Sequence, residues 1–153
     1  MKLALALAIA TGVLMMSSPA DARTRPAVEH YPSPQINGVP APFSSAVRVG
    51  DVLYLSGAIG RGPDGKPPEG IEAQTKATLD DIGATLKRAG LGFEDVFHCT
   101  AFLADMKLWP DFNKVYVTYF PADKRPARSA FGVNGLALGA LLELECQAYA
   151  GKK

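Results

Sequence analysis

The chain has 153 residues, of which 48% are hydrophobic and 20% charged, and 16 basic side chains face 15 acidic ones for a net charge of +1. A balance so close to neutral gives no electrostatic reason to expect a nucleic acid or an anionic membrane surface as partner. One domain accounts for this length, and it is long enough to bury a sizeable core.

The N-terminus has the layout of a secretory signal. Lys2 is followed by an uncharged, mostly apolar run from Leu3 to Met16 and then by Ser17-Ser18-Pro19-Ala20-Asp21-Ala22, small residues suited to a cleavage site. The apolar run falls short of the roughly 20 residues that span a bilayer, so residues 1–22 are expected to be removed after Ala22. The loss of Lys2 and Asp21 leaves the charge at +1. The expected location is the periplasm or the exterior, with no membrane attachment once the signal is cut.

Residues 23–40 are rich in Pro, Ser and Asn without periodicity and predict an extended lead-in segment, with the folded domain spanning 41–150. Phe43–Val49 and Val52–Ser56 are two β-rich runs joined by Gly50-Asp51, a dipeptide suited to a tight hairpin turn. Gly60–Gly70 carries four glycines and three prolines and predicts a loop. Ile71, Thr75, Leu79, Ile82, Leu86 and Ala89 recur at helical spacing, and Gly90 stands where that helix would end. Val96–Leu103 predicts a strand with Val96, His98, Thr100 and Phe102 on one face. A second helix carries Leu108, Phe112, Val115 or Tyr116, and Tyr119, and Pro121 stops it. Strands at Arg128–Val133 and Leu141–Ala148 close the chain. The order ββαβαββ predicts an α+β fold, one mixed sheet with both helices on one face and the other face free to be covered by another copy.

Several motifs can be weighed on this frame. Gly60-Arg61-Gly62-Pro63-Asp64-Gly65 matches G-x-G-x-x-G, but Lys66-Pro67-Pro68 separates it from the helix that a dinucleotide site needs, so a loop is expected. His30 and His98 are the only histidines, no C-x-x-C or H-E-x-x-H spacing occurs, and no metal site is expected. His98 and Cys99 must point to opposite faces of their strand, which makes His98 a core or interface residue. Cys99 and Cys146 lie in different predicted strands; a bridge would need adjacent strands in register, and two buried free thiols are the expectation. Arg128 opens an otherwise apolar strand, while Glu143 and Glu145 alternate with Leu142, Leu144 and Cys146 and so share one face. On pattern alone, a surface ion pair between Arg128 and these glutamates competes with a functional site.

The stretch Pro126-Ala127-Arg128-Ser129, with the Glu143-Leu144-Glu145 strand, resembles the signature of the reactive intermediate deaminase family, also called RidA or YjgF. Ala41-Pro42-Phe43-Ser44-Ser45-Ala46-Val47 is similar to the family's G-P-Y-S-Q-A-V, Leu55-Ser56-Gly57-Ala58-Ile59 to its S-G-Q-I strand end, and Asn113-Lys114-Val115-Tyr116 to its N-x-x-Y. The resemblance implies a chorismate-mutase-like fold in a homotrimer with sites between subunits. It also implies cofactor-free and metal-free hydrolysis of 2-enamino and 2-imino acids to 2-keto acids and ammonia. By this correspondence Arg128 holds the substrate carboxylate and Glu143 activates water, with Phe43, Ser56, Gly57, Asn113 and Ala130 binding substrate. Three positions depart from the pattern: Phe43 for tyrosine, Ala58 for glutamine and Ala130 for cysteine. A protein that binds small carboxylate ligands without turning them over is the alternative, ahead of an endoribonuclease.

The signal is the first testable expectation. Intact-mass measurement of the exported protein should give Arg23 as the mature N-terminus.

Overall fold

The computed structural model describes residues 25–35 and 38–152, so the signal segment lies outside the described residues. The strands are β1 (Val28–Pro32), β2 (Ser44–Val49), β3 (Val52–Leu55), β4 (Val96–Leu103), β5 (Ala127–Gly132) and β6 (Leu142–Tyr149), and the helices are α1 (Ile71–Arg88) and α2 (Trp109–Tyr116). They build one six-stranded sheet in the order β1-β2-β3-β6-β4-β5. All neighbours are antiparallel except β4 and β5, so the sheet is mixed as expected.

The lead-in segment is where the sequence reading needs correction. Residues 28–32 are an edge strand that pairs Val28 with Val49 and His30 with Val47. A five-residue strand with one partner carries too little alternation to stand out from its Pro-rich surroundings. The hairpin from β2 to β3 is as read: Gly50 has φ of +58° at the first position of a two-residue turn, where glycine avoids the Cβ clash.

Helix α1 buries Leu79, Ile82 and Leu86 against the sheet, and Gly90, at φ of +73°, follows its end. Gln74 ties the first turn of α1 to both flanking segments, donating to the Pro68 carbonyl at 2.9 Å and accepting from the Leu141 amide at 2.7 Å. Gly60 passes so close to α1 that its amide donates to Thr78 Oγ1 at 2.9 Å. In β6, Leu142, Leu144, Cys146 and Ala148 face the core and are all but fully buried. Truncating either leucine to alanine costs roughly 2–5 kcal/mol. Glu143, Gln147 and the exposed Glu145 and Tyr149 take the opposite face.

Strand β4 shows a second difference. A bulge at Phe97 shifts the alternation, so Val96 is buried in the core opposite Ala148 while His98, Thr100 and Phe102 lie on the other face. His98 sits half-exposed between Gln147 and Ala127 on that sheet face, outside the core. This helix-free face carries Val28, Val49, Tyr54, Phe131 and Tyr149, each at least one-third exposed.

The free-thiol expectation is also corrected. Cys99 and Cys146 are direct partners across β4 and β6, with Cα atoms 4.1 Å apart, and form a disulfide buried in the core. The bridge spans 47 residues of chain, a loop whose closure in the unfolded state is worth about 4 kcal/mol. Replacing both cysteines by alanine should therefore lower the urea midpoint markedly without changing the fold. Thiol titration of the denatured, unreduced protein should find no free sulfhydryl.

Candidate functional site

The pairing register decides where the predicted site residues point. Arg128 is the partner of Cys99 and lies on the helix side of the sheet, whereas Glu143 is the partner of Phe102 and lies on the helix-free side. The two side chains therefore do not meet within one chain. Two strand spacings, roughly 10 Å, also separate β5 from β6 across β4. The same register excludes the surface ion pair between Arg128 and the glutamates.

Two groups result. The first is built by β5 and α2: Arg128 and Ala130, two residues apart, share the helix side, and Asn113 lies on the neighbouring helix. The guanidinium carbon of Arg128 sits 4.5 Å from the Tyr116 ring centre and 5.1 Å from that of Phe112. These rings, four residues apart on α2, form a shelf on which a cation is favourably stacked. Among the described residues no carboxylate forms a salt bridge with Arg128. Its flat, five-donor fork is half-buried and uncommitted to an anion.

The second group lies at the end of the β2–β3 hairpin. Phe43, Ser56 and Gly57 line a cavity of about 310 Å³ that reaches under α1. Ala58 pairs with Leu144, which brings the loop after β3 alongside β6. Glu143 packs directly on Gly57: a Cβ at position 57 would overlap its Oε1, so only glycine leaves the carboxylate where it is. A carboxylate thus lies against Gly57, a residue of the cavity wall, on the helix-free side of β6, and an unpaired guanidinium lies two strands away on the helix side of β5.

Sequence reasoning missed two features. Phe112 showed only in a helical apolar stripe, and Tyr116 in that stripe and in the N-x-x-Y match, with no signal that they carry Arg128. Asp81 and Thr85, which also border the cavity, had no motif at all, and Arg61 showed only inside a G-x-G-x-x-G match read as a loop.

The comparisons with known proteins agree with this architecture. Residues 36–150 match the family described as Endoribonuclease L-PSP. The chain is 38% identical over 107 residues to Reactive Intermediate Deaminase A, chloroplastic, of Arabidopsis thaliana, covering 69% of this chain and 57% of that protein. It is 38% identical over 112 residues to the 2-iminobutanoate/2-iminopropanoate deaminase of Mus musculus, covering 72% of this chain and 82% of the mouse protein. The solved structure of the Rid-family protein YyfA from Yersinia pestis, titled as a protein of unknown function, superposes with a TM-score of 0.71 at 33% identity over 80% of this chain and 99% of that one. The fold and site motifs define a YjgF-like α+β protein, and the chain belongs to the RidA/YjgF family, the one described as Endoribonuclease L-PSP.

The Tyr116 hydroxyl is buried and has no hydrogen-bond partner among the described residues. Burial pushes its pKa up to about 12, and the adjacent Arg128 charge opposes that shift. Because the folded value lies above the unfolded one, this group's stabilising contribution is present below pH 10 and is lost as the pH rises towards 12. Tyr116→Phe should therefore reduce the loss of stability between pH 10 and 12, read by thermal unfolding. Arg128→Ala should move the Tyr116 absorbance titration higher still.

Proposed function

We propose that this protein hydrolyses small 2-imino acids to 2-keto acids and ammonia, at a site formed where one copy's Arg128 meets the Glu143 and Gly57 of another. The observation that carries the reading is the uncommitted Arg128 guanidinium on its aromatic shelf. A planar fork of this kind binds a carboxylate bidentately and fixes the orientation of the rest of the molecule. The family's relatives named as imine deaminases support the same substrate chemistry.

With the carboxylate held, the electrophilic C2 of the imine is presented to a water beside Glu143. The Glu143 carboxylate takes a proton from that water as the oxygen adds to C2, and the imine nitrogen gains a proton. Glu143 is the source of that proton, and the resulting carbinolamine then collapses: Glu143 takes the hydroxyl proton and passes it in turn to the nitrogen, the C2–N bond breaks, ammonia leaves, C2=O forms, and the carboxylate is regenerated. Neither step transfers an electron to or from another group, and the proposed reaction uses no cofactor. Asn113 and the backbone at Ala130 flank the carboxylate end, and Phe43, Ser56 and Gly57 surround the reacting end.

Assembly into a homotrimer brings the two halves together. The exposed apolar side chains on the helix-free sheet face, Val28, Val49, Tyr54, Phe131 and Tyr149, supply surface for it. The N-terminal sequence, read as an export signal, supports a location in the periplasm or outside the cell. The near-neutral charge favours a small organic acid over a nucleic acid.

Activity is tested by generating 2-iminopropionate in situ and following its loss with the purified mature protein. Arg128→Lys keeps the charge but not the fork and should lose most activity. Arg128→Ala should lose more, since each charge-assisted hydrogen bond is worth roughly 1.5–3 kcal/mol. Glu143→Gln should lower kcat more than it raises KM. Co-assembling inactive Arg128→Ala and Glu143→Gln subunits should restore part of the activity, because some interfaces then carry both native residues. If the mixture stays inactive while both variants remain trimeric, the shared site is refuted. Tight binding of 2-keto acids without turnover of any imino acid would instead establish a binding protein.

A further inference from the structure

Little that is directional holds Arg128 in place. No salt bridge fixes its guanidinium among the described residues, and the hydroxyl of Tyr116, one of the two rings of its shelf, is buried without a hydrogen-bond partner. Its strand, β5, is the last of the sheet and is paired with β4 alone. The residue opposite Arg128 on β4 is Cys99, and the residue opposite Cys99 on β6 is Cys146, so the three side chains form one row on the helix side of the sheet. Neighbouring strands lie about 4.8 Å apart, which makes the cystine the immediate neighbour of the Arg128 stem. Cys99 and Cys146 are 0% and 1% exposed and belong to the same buried cluster as Phe112 and Tyr116. The disulfide therefore ties the strand that carries Glu143 to the strand that supports Arg128, in the layer that also holds the aromatic shelf.

We infer that the Cys99–Cys146 bridge is a positioning element for Arg128, and that the protein holds a carboxylate ligand at full strength only after the bridge has formed. Two unbonded thiols keep van der Waals distance from each other, and a close-packed interior passes that displacement to its neighbours. On one side of β4 the neighbour is β6, which is backed by β3; on the other it is the edge strand carrying Arg128, which has no outer partner to resist. The bridge forms when the thiolate of one cysteine attacks a disulfide oxidant and the second cysteine then displaces the attached sulfur, so that two thiols of the oxidant are released for each bridge made. The oxidising compartment expected from the N-terminal signal supplies such oxidants. Burial shields both sulfurs in the folded protein, so the step arms the site once instead of switching it back and forth.

Turnover as a readout rests on the deaminase reading, whereas calorimetric binding of pyruvate reports on Arg128 directly. The oxidised mature protein is compared with its dithiol form, made by unfolding in reductant and refolding with the thiols counted, and with Cys99→Val/Cys146→Ala, which keeps apolar volume without a bond. All are measured well below their unfolding midpoints. Both bridge-free forms should bind pyruvate about tenfold more weakly, and KM for 2-iminopropionate should rise about as much while kcat changes less. Reoxidising the dithiol form with glutathione disulfide should restore the oxidised values. In an Arg128→Lys background, where the fork is already lost, removing the bridge should leave pyruvate affinity unchanged. Equal pyruvate affinity with and without the bridge overturns the inference, and so does an equal loss in the Arg128→Lys background, which would make the bridge a general stabiliser. If the dithiol form does not refold, the Val/Ala variant decides by the same criteria. If pyruvate affinity follows the bridge but no form hydrolyses an imino acid, the deaminase reading fails while the bridge's role stands.

Discussion

The pairing of β6 against β4 is the constraint on which the rest of the molecule depends. One register, pinned at Cys99–Cys146, sends Leu142, Leu144 and Ala148 into the core and turns Glu143 and Glu145 away from it. A slip of one residue would reverse every one of those side chains, burying two carboxylates and exposing the leucines. Because β5 pairs with β4 on its other side, the same alignment assigns Arg128 to the helix face by way of Cys99. A covalent link in the middle of the sheet therefore sets the geometry of both ends of the candidate site.

That geometry has an unusual consequence for a chain with a site signature. The arginine and the glutamate that carry the signature lie on opposite faces of one sheet, each in a different setting. Arg128 is backed by Phe112 and Tyr116, which hold a cation flat without neutralising it. Glu143 rests on the bare backbone of Gly57, itself part of the wall of the cavity under α1. A side chain at 57 would displace the Glu143 carboxylate, and a carboxylate partner beside Arg128 would occupy its guanidinium. The helix-free face carries exposed Tyr54, Phe131 and Tyr149, and in the proposed assembly a second copy is what brings the two halves together.

Much of this was legible in the residues. The hairpin, both helices and the two closing strands followed from period-2 and period-3.6 patterns and from Gly50 and Gly90, although β5 and β6 are each displaced by one residue and α2 ends at Tyr116, before the stop expected at Pro121. Strand β1 was not legible, because an edge strand with exposed side chains has no hydrophobic alternation to reveal it. The bulge at Phe97 was invisible for a related reason: it changes the face of Val96 without changing the residue types around it. The disulfide needed a fact that spacing along the chain does not contain, namely that Cys99 and Cys146 are opposite each other.

By itself, the sequence determined the fold class, the family and the residue types able to hold a carboxylate and activate water, because periodicity and short motifs are local properties. Only the tertiary structure decided which strands are neighbours and in what register, since that depends on contacts between residues far apart in the chain. Register in turn decided that Arg128 and Glu143 face apart, that Cys99 and Cys146 are bridged, and that Phe43 and Ala58 line one apolar cavity. No local pattern encodes those relations, because each is fixed by how distant segments share a single packed core.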